Sequence, residues 1–182
     1  MTTRISGGTH RGRSLKIDKS NDLRPTSTLV RSAIFSMLGI EKIVSSNVLD
    51  LFAGTGAMGI EALSRNANHV DFVEKNSHRS RQIRSNLNNL GFKEKSRVLA
   101  RKVESALKEL NGPYQLIFAD PPYNTDPWVG LMQELENNSL PSDDVLVVCE
   151  HISKLQLSVK YGNFFRSRTR KYGDTCISIY EL

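Results

Sequence analysis

Residues 49–59 read LDLFAGTGAMG. An apolar run, NVLDLF from Asn47 to Phe52, meets three glycines spaced G-x-G-x-x-G: Gly54, Gly56 and Gly59. A strand that turns sharply into a helix needs residues without a Cβ at the turn, hence Gly54 and Gly56. Gly59 lets the helix lie close against the sheet. By pattern alone the stretch is a dinucleotide-binding fingerprint, with a pyrophosphate expected on the helix N-terminus.

Outward from this turn, strands and helices alternate. MGIEALSR (58–65) reads as a helix and HVDFVE (69–74) as a strand. HRSRQIRSNLNNLG (78–91) reads as a helix ending at Gly91, followed by the strand SRVLA (96–100). VESALKEL (103–110) and WVGLMQELENN (128–138) are helices, and YQLIFAD (114–120) and DVLVVCE (144–150) strands. FFRSRTR (164–170) and TCISIYEL (175–182) complete seven strands, with no helix between the last two. Upstream, the pairs Leu29/Val30, Ala33/Ile34 and Met37/Leu38 make one helical face, with Thr28 as a candidate cap. Apolar strands alternating with helices imply an α/β fold: a mostly parallel seven-stranded sheet, helices on both faces, and an antiparallel strand at one edge. Residues 1–27, basic and glycine-containing, are expected to form an arm or hairpin, and residues 28–182 the main domain.

Ligands of such sheets bind beyond the carboxyl ends of the strands. That edge gathers the glycine loop, Glu74 and the stretch DPPYN (120–124). Glu74 ends the next strand, 18 residues after Gly56. A carboxylate there can accept bonds from both hydroxyls of an adenosine ribose, which NAD and S-adenosylmethionine share. Asp50 separates the two. A carboxylate at the strand end suits a ligand with a positive amino group and repels a pyrophosphate, so it favours the methyl donor. It can also cap the local turn.

In FADPPYN, Asp120 leaves the strand and Pro121 and Pro122 stiffen the loop. An exocyclic amino group on a base is a poor nucleophile, because its lone pair spreads into the ring. Two acceptors, Asp120 Oδ and the Pro121 carbonyl, can bond its two hydrogens and aim the lone pair at an attacked carbon. Tyr123 can stack on the base. The reaction is then chiefly one of in-line positioning.

The 182 residues suit one domain, with 38% hydrophobic and 24% charged residues. The basic start lacks an apolar run behind it, so no secretory signal is read, and no stretch reaches the length of a membrane span. Cys149 and Cys176 lie in strand-like runs and are expected to be buried free thiols. The four histidines show no ligand spacing, so no metal is expected. Net charge is +6. Residues 1–31 hold seven Lys/Arg against two acids, and residues 75–108 hold ten against two. Residues 113–150 hold none against seven acids. Such asymmetry suggests a basic face that meets nucleic acid.

With these residues in view, the chain resembles the class I S-adenosylmethionine-dependent methyltransferases that carry an [N/D]-P-P-[Y/F] motif. RISGGTHRGRSL, LRPTSTLVRSAIFSML, LDLFAGTGAMGIEALSR, FVEKN, FADPPY and RKYGDT together look like the bacterial family that methylates a guanine N2 of 16S ribosomal RNA. The resemblance implies a Rossmann-like fold, with Asp50, Ala53, Gly54, Gly56, Glu74 and Lys75 around S-adenosyl-L-methionine. Asp120, Pro121, Pro122 and Tyr123 would hold the target guanine. It further implies that Arg4, Arg11 and Arg13 of the arm touch RNA, and that Arg24 serves as a phosphate clamp. One position departs from the pattern. Lys102 stands where the family places Asp or Asn to bond the adenine amino group, and an ammonium cannot accept that bond. Either the Val103 N–H carries the adenine contact alone, or Glu104 serves.

The expectation is a cytoplasmic, monomeric enzyme of rRNA processing, with 16S rRNA inside a small-subunit particle as its partner and no membrane. An adenine-N6 or cytosine-N4 enzyme of DNA would lack a target-recognition domain at this size. An NAD-dependent oxidoreductase is disfavoured by Asp50 and by D-P-P-Y, and a non-catalytic RNA-binding module by the intact loops.

Overall fold

The computed structural model describes residues 3–17, 27–122 and 126–182. A hairpin opens the chain, with β1 (Thr3–Arg4) paired antiparallel to β2 (Ser14–Leu15). Helix α1 spans Thr28–Leu38. Its cap is Ser27 rather than the expected Thr28, because the Ser27 hydroxyl is the one placed to accept from Val30 N, at 3.2 Å.

The alternating unit then runs β3 (Asn47–Leu51), α2 (Ala57–Ser64), β4 (His69–Val73), α3 (Ser77–Asn89) and β5 (Ser96–Leu99). Asn76 caps α3 by accepting from His78 N and Arg79 N, and Gly91, at φ +75°, follows its C-terminal end. Next come α4 (Val103–Ala106), β6 (Tyr114–Ala119), α5 (Trp128–Asn137), β7 (Pro141–Ile152), β8 (Lys160–Tyr161), β9 (Phe164–Tyr172) and β10 (Thr175–Glu181). The expected helix over 103–110 closes after four residues and continues as turns through Leu107 and Glu109.

The main sheet has eight strands, ordered β5-β4-β3-β6-β7-β10-β9-β8. Strands β3 to β7 are mutually parallel, and β10 lies antiparallel to β7 and to β9. The eighth strand is the two-residue β8, paired with the start of β9 and too short to carry a periodic signal. Alternation divides the core between two faces. Val48, Val70, Phe72, Phe118 and Val148 pack with α1, α2 and α3. Leu49, Leu51, Ile117 and Val147 pack with α4 and α5. Both thiols, Cys149 and Cys176, are buried and free.

The N-terminal hairpin packs on this core, with Ile5 and Leu15 buried in the α1–α3 side. Its polar anchor is Glu61 of α2, fully buried, which accepts from Ser6 N and Ser6 Oγ at 2.8 Å each. Arg31 of α1, 1% exposed, reaches the same carboxylate at 3.3 Å. Arg65 reaches it at 3.0 Å. Among the described residues no helix is long and apolar enough to cross a membrane.

Candidate active site

The carboxyl ends of the parallel strands open onto a cleft of about 590 Å³, a size suited to a small-molecule ligand. The glycine loop forms one wall. Its left-handed backbone begins two residues before the first glycine expected to need it: Phe52 has φ +58°, then Gly54 +54° and Gly56 +74°. A bulky residue in that region is strained by about 1–3 kcal/mol, and Phe52 lines the cleft. A Cβ on Gly59 would stand 2.3 Å from the Phe72 ring, so the expected close approach of α2 to β4 is what excludes a side chain there.

The loop's N–H groups are directed inward. Gly54 N donates to Glu74 Oε2 at 2.8 Å, Gly56 N to Ala53 O at 2.7 Å, and Gly59 N to Asp50 Oδ2 at 2.9 Å. A pyrophosphate would find these three donors engaged, two of them by carboxylates. Glu74 is also held at its other oxygen by Asn76 N, at 2.7 Å. Each oxygen retains a lone pair for a further donor, so the carboxylate is fixed in place for a ribose diol.

Of the two roles read for Asp50 from the sequence, the cap on the local turn is present in the structure. With one oxygen it caps the first turn of α2, where Gly56 has no side chain to do so. It is 3% exposed and lines the cleft. Burial, with the nearby Glu74 carboxylate, pushes its pKa up from 3.8 to about 7, against the pull of Gly59 N–H. A cationic ligand group beside it would restore the charge.

Ala53, Gly54, Lys75, Lys102, Val103 and Glu104 all line the cleft, while Gly56 sits at the buried turn beneath it. Lys102 is exposed at the N-cap of α4, and Val103 is buried as its first residue. The Val103 N–H has no acceptor within its own helix. Asp120 follows β6 and lines the cleft with Pro121 and Pro122. Tyr123 and Arg24 fall outside the described residues.

The sequence reading missed Glu150. It lies on β7, is 8% exposed and lines the same cleft. Ala119, the last residue of β6, pairs with Cys149 of β7, so Asp120 and Glu150 each follow directly on that last pair. Its signal was the lone acid ending an apolar strand, as with Glu74. Arg79 and Arg101 also border the cleft. The arm is placed elsewhere. Its tip bonds the C-terminal end of α2, with Thr9 N on Ser64 O at 2.7 Å and His10 N on Ser64 Oγ at 3.0 Å. That is the end of α2 away from the glycine loop. Arg4, Arg11 and Arg13 are exposed there.

Residues 3–181 match the protein family described as "Conserved hypothetical protein 95". The chain belongs to that family. It is 34% identical over 182 residues to "Ribosomal RNA small subunit methyltransferase D" of Escherichia coli (strain K12), covering 98% of this chain and 89% of the relative. It is equally 34% identical to "Putative rRNA methyltransferase YlbH" of Bacillus subtilis (strain 168), covering 98% of each. The solved structure titled "Putative methyltransferase yhhF from Escherichia coli" superposes with a TM-score of 0.89 at 31% identity, covering 99% of this chain and 97% of that one. The fold of this family member is therefore the class I methyltransferase fold expected from its sequence, widened by β8. Among the described residues no cluster of three or more His, Cys, Asp or Glu is arranged to hold a metal ion.

Proposed function

We propose that this chain transfers the methyl group of S-adenosyl-L-methionine to the exocyclic N2 of a guanine in 16S ribosomal RNA. The observation that carries the reading is two acidic sets lining one cleft: Asp50 and Glu74 on the β3–β4 wall, Asp120 and Glu150 on the neighbouring β6–β7 wall. The names of the Escherichia coli and Bacillus subtilis relatives support the rRNA substrate.

When bound, S-adenosyl-L-methionine supplies an electrophilic methyl group on a cationic sulfonium. The residues of the first wall fit it: Glu74 accepts the ribose hydroxyls, Asp50 attracts the amino group, and Val103 N–H meets the adenine. Lys102 and Lys75 lie at the rim of that site, and Ala53, Gly54 and Gly56 shape its floor. On the second wall Asp120 and the Pro121 carbonyl accept the two hydrogens of the target amino group, Pro122 stiffens the turn, and Tyr123 stacks on the base. The proton that leaves the nitrogen after methylation goes to Asp120 or to water.

The choice of guanine follows from donor order. Beside the N2 amino group guanine carries a second donor, N1–H. Guanine's amino group also borders the acceptor N3, whereas the amino groups of adenine and cytosine border a ring-nitrogen acceptor and no second donor. An ionised carboxylate only accepts, so Asp120 with Glu150 matches two adjacent donors and opposes a donor next to an acceptor. Arg4, Arg11, Arg13 and Arg24 contact the RNA backbone in this reading, and a small-subunit particle serves as substrate. The enzyme is placed in the cytoplasm as a monomer, with a hairpin arm at 1–27 and the catalytic domain at 28–182. The decisive experiment maps methylated guanines in 16S rRNA by mass spectrometry, with and without the gene. A guanine losing its N2 methyl group supports the reading, and an unchanged map overturns it.

A further inference from the structure

Residues 160–172 carry Lys160, Arg166, Arg168, Arg170 and Lys171 and no Asp or Glu. They form β8 and β9, apart from every residue assigned above. Arg168, Arg170 and Lys171 are exposed. Among the described residues none of the four cations of β9 stands in a salt bridge.

The topology brings this run to the active edge. β10 is antiparallel to both β7 and β9, so β9 runs in the same direction as the parallel strands and ends at their carboxyl edge. In register, Glu150 pairs with Ile177, and Ile177 with Arg170. Directly paired residues project to the same face. Arg170 therefore lies two strands from Glu150, about 10 Å at ordinary strand spacing, on the face that carries Asp120. Its neighbours on that face fasten β9 to the end of α1: Arg168 donates to Met37 O at 3.2 Å, and the Tyr172 hydroxyl meets Met37 Sδ at 3.9 Å. Arg170 is left between them on an anchored backbone with its charge in solvent.

We propose that Arg168 and Arg170 form a phosphate track that holds the RNA backbone flanking the target nucleotide. The inference rests on the rRNA reading above. Cations on an edge strand also deter strand-to-strand aggregation, but that role needs no particular face and no proximity to Asp120. A track at this position lets the base enter the cleft while its flanking backbone follows β9, and the acid-lined cleft itself stays free of phosphate.

The test is the charge reversal Arg170→Glu, compared with Lys93→Glu. The latter makes the same change of charge just before β5, at the opposite edge of the sheet. Binding to a 16S rRNA transcript is measured across salt concentrations, and methyl transfer to small-subunit particles is measured in parallel. The β9 variant is expected to raise KM for RNA by roughly tenfold and to flatten the salt slope by about 0.7–0.9 for each phosphate it no longer neutralises. Its kcat and its thermal shift with S-adenosylhomocysteine stay at wild-type values, which also reports that it folds. The control variant keeps the wild-type slope. Equal effects from both variants, or none from the β9 variant, would overturn the track. Binding is read apart from catalysis, so a wild-type protein that bound RNA without methylating it would count against the function while the slope still judged β9.

Discussion

The backbone N–H of Gly54 donates to Oε2 of Glu74 at 2.8 Å, joining the glycine loop to the carboxylate that ends the next strand. A dinucleotide fold leaves such a donor for phosphate. Here it orients an acid, and Asn76 N–H orients the other oxygen. Glu74→Gln must turn an amide NH₂ toward one of these two N–H groups and loses an acceptor for the ribose. A hydrogen bond to a charged group is worth about 1.5–3 kcal/mol, so the Kd for S-adenosyl-L-methionine should rise roughly 10- to 150-fold. Calorimetric titration measures this. Wild-type protein should show a thermal shift with S-adenosyl-L-methionine or its demethylated product and none with NAD. A shift with NAD alone would defeat the cofactor assignment.

In the proposed site, Asp50 is expected to make cofactor binding dependent on pH. Burial raises its pKa to about 7 from an ordinary 3.8. The folded, ligand-free protein therefore holds a proton that the unfolded chain releases above about pH 4. That contribution to stability is present below pH 4 and is lost as pH rises through 7. Binding has the opposite sign, because a cationic amino group favours the ionised form. Affinity should fall by up to about tenfold per unit as pH drops below 7. Asp50→Asn should abolish that slope and weaken binding at pH 8, while the ligand-free protein melts no lower than wild type at that pH. Titrations at pH 6 and pH 8 decide it; a variant that kept the slope would assign the proton to another group.

Asp120 touches the target rather than the cofactor in the proposed chemistry. Asp120→Ala should lower kcat by about 10²–10³, the scale of losing one oriented group at a reacting centre. Its thermal shift with S-adenosyl-L-methionine should remain that of wild type. Single-turnover methylation of small-subunit particles separates the two readouts, and full activity in the variant would refute the role of the loop.

Much of this was legible because the signals were local. The glycine spacing set the β3–α2 turn, and acids directly after apolar strands set Glu74 and Asp120 at one edge. What was not legible depended on pairing between distant segments. Glu150 becomes a neighbour of Asp120 only through the β6–β7 register. Arg170 faces the same way only through β10. Phe52 carries a glycine-like φ although nothing in its residue type announces it. Arg11 and Arg13 read as part of a basic arm or hairpin, but where it docks did not: it is fastened to the far end of α2 by Ser64 and Glu61.

That fastening converges on Glu61, which is fully buried and accepts from Ser6 N, Ser6 Oγ, Arg31 Nε and the Arg65 guanidinium. Burial lowers the pKa of Arg31, and Glu61 is the group that opposes this shift. Removing one partner of a buried pair leaves the other charge uncompensated, at a cost of about 3–5 kcal/mol. At this chain length each kcal/mol moves Tm by about 2–4 °C, so Glu61→Ala should melt roughly 6–20 °C lower. Its hairpin should also be cut faster by trypsin at Arg4, Arg11 and Arg13 under native conditions. Arg31→Met combined with Glu61→Leu removes both charges and should recover part of the lost Tm but not the trypsin protection, because Ser6 still lacks its acceptor. If Glu61→Ala left both Tm and the cleavage rate unchanged, the hairpin would be held by Ile5, Leu15 and the Ser64 contacts without Glu61.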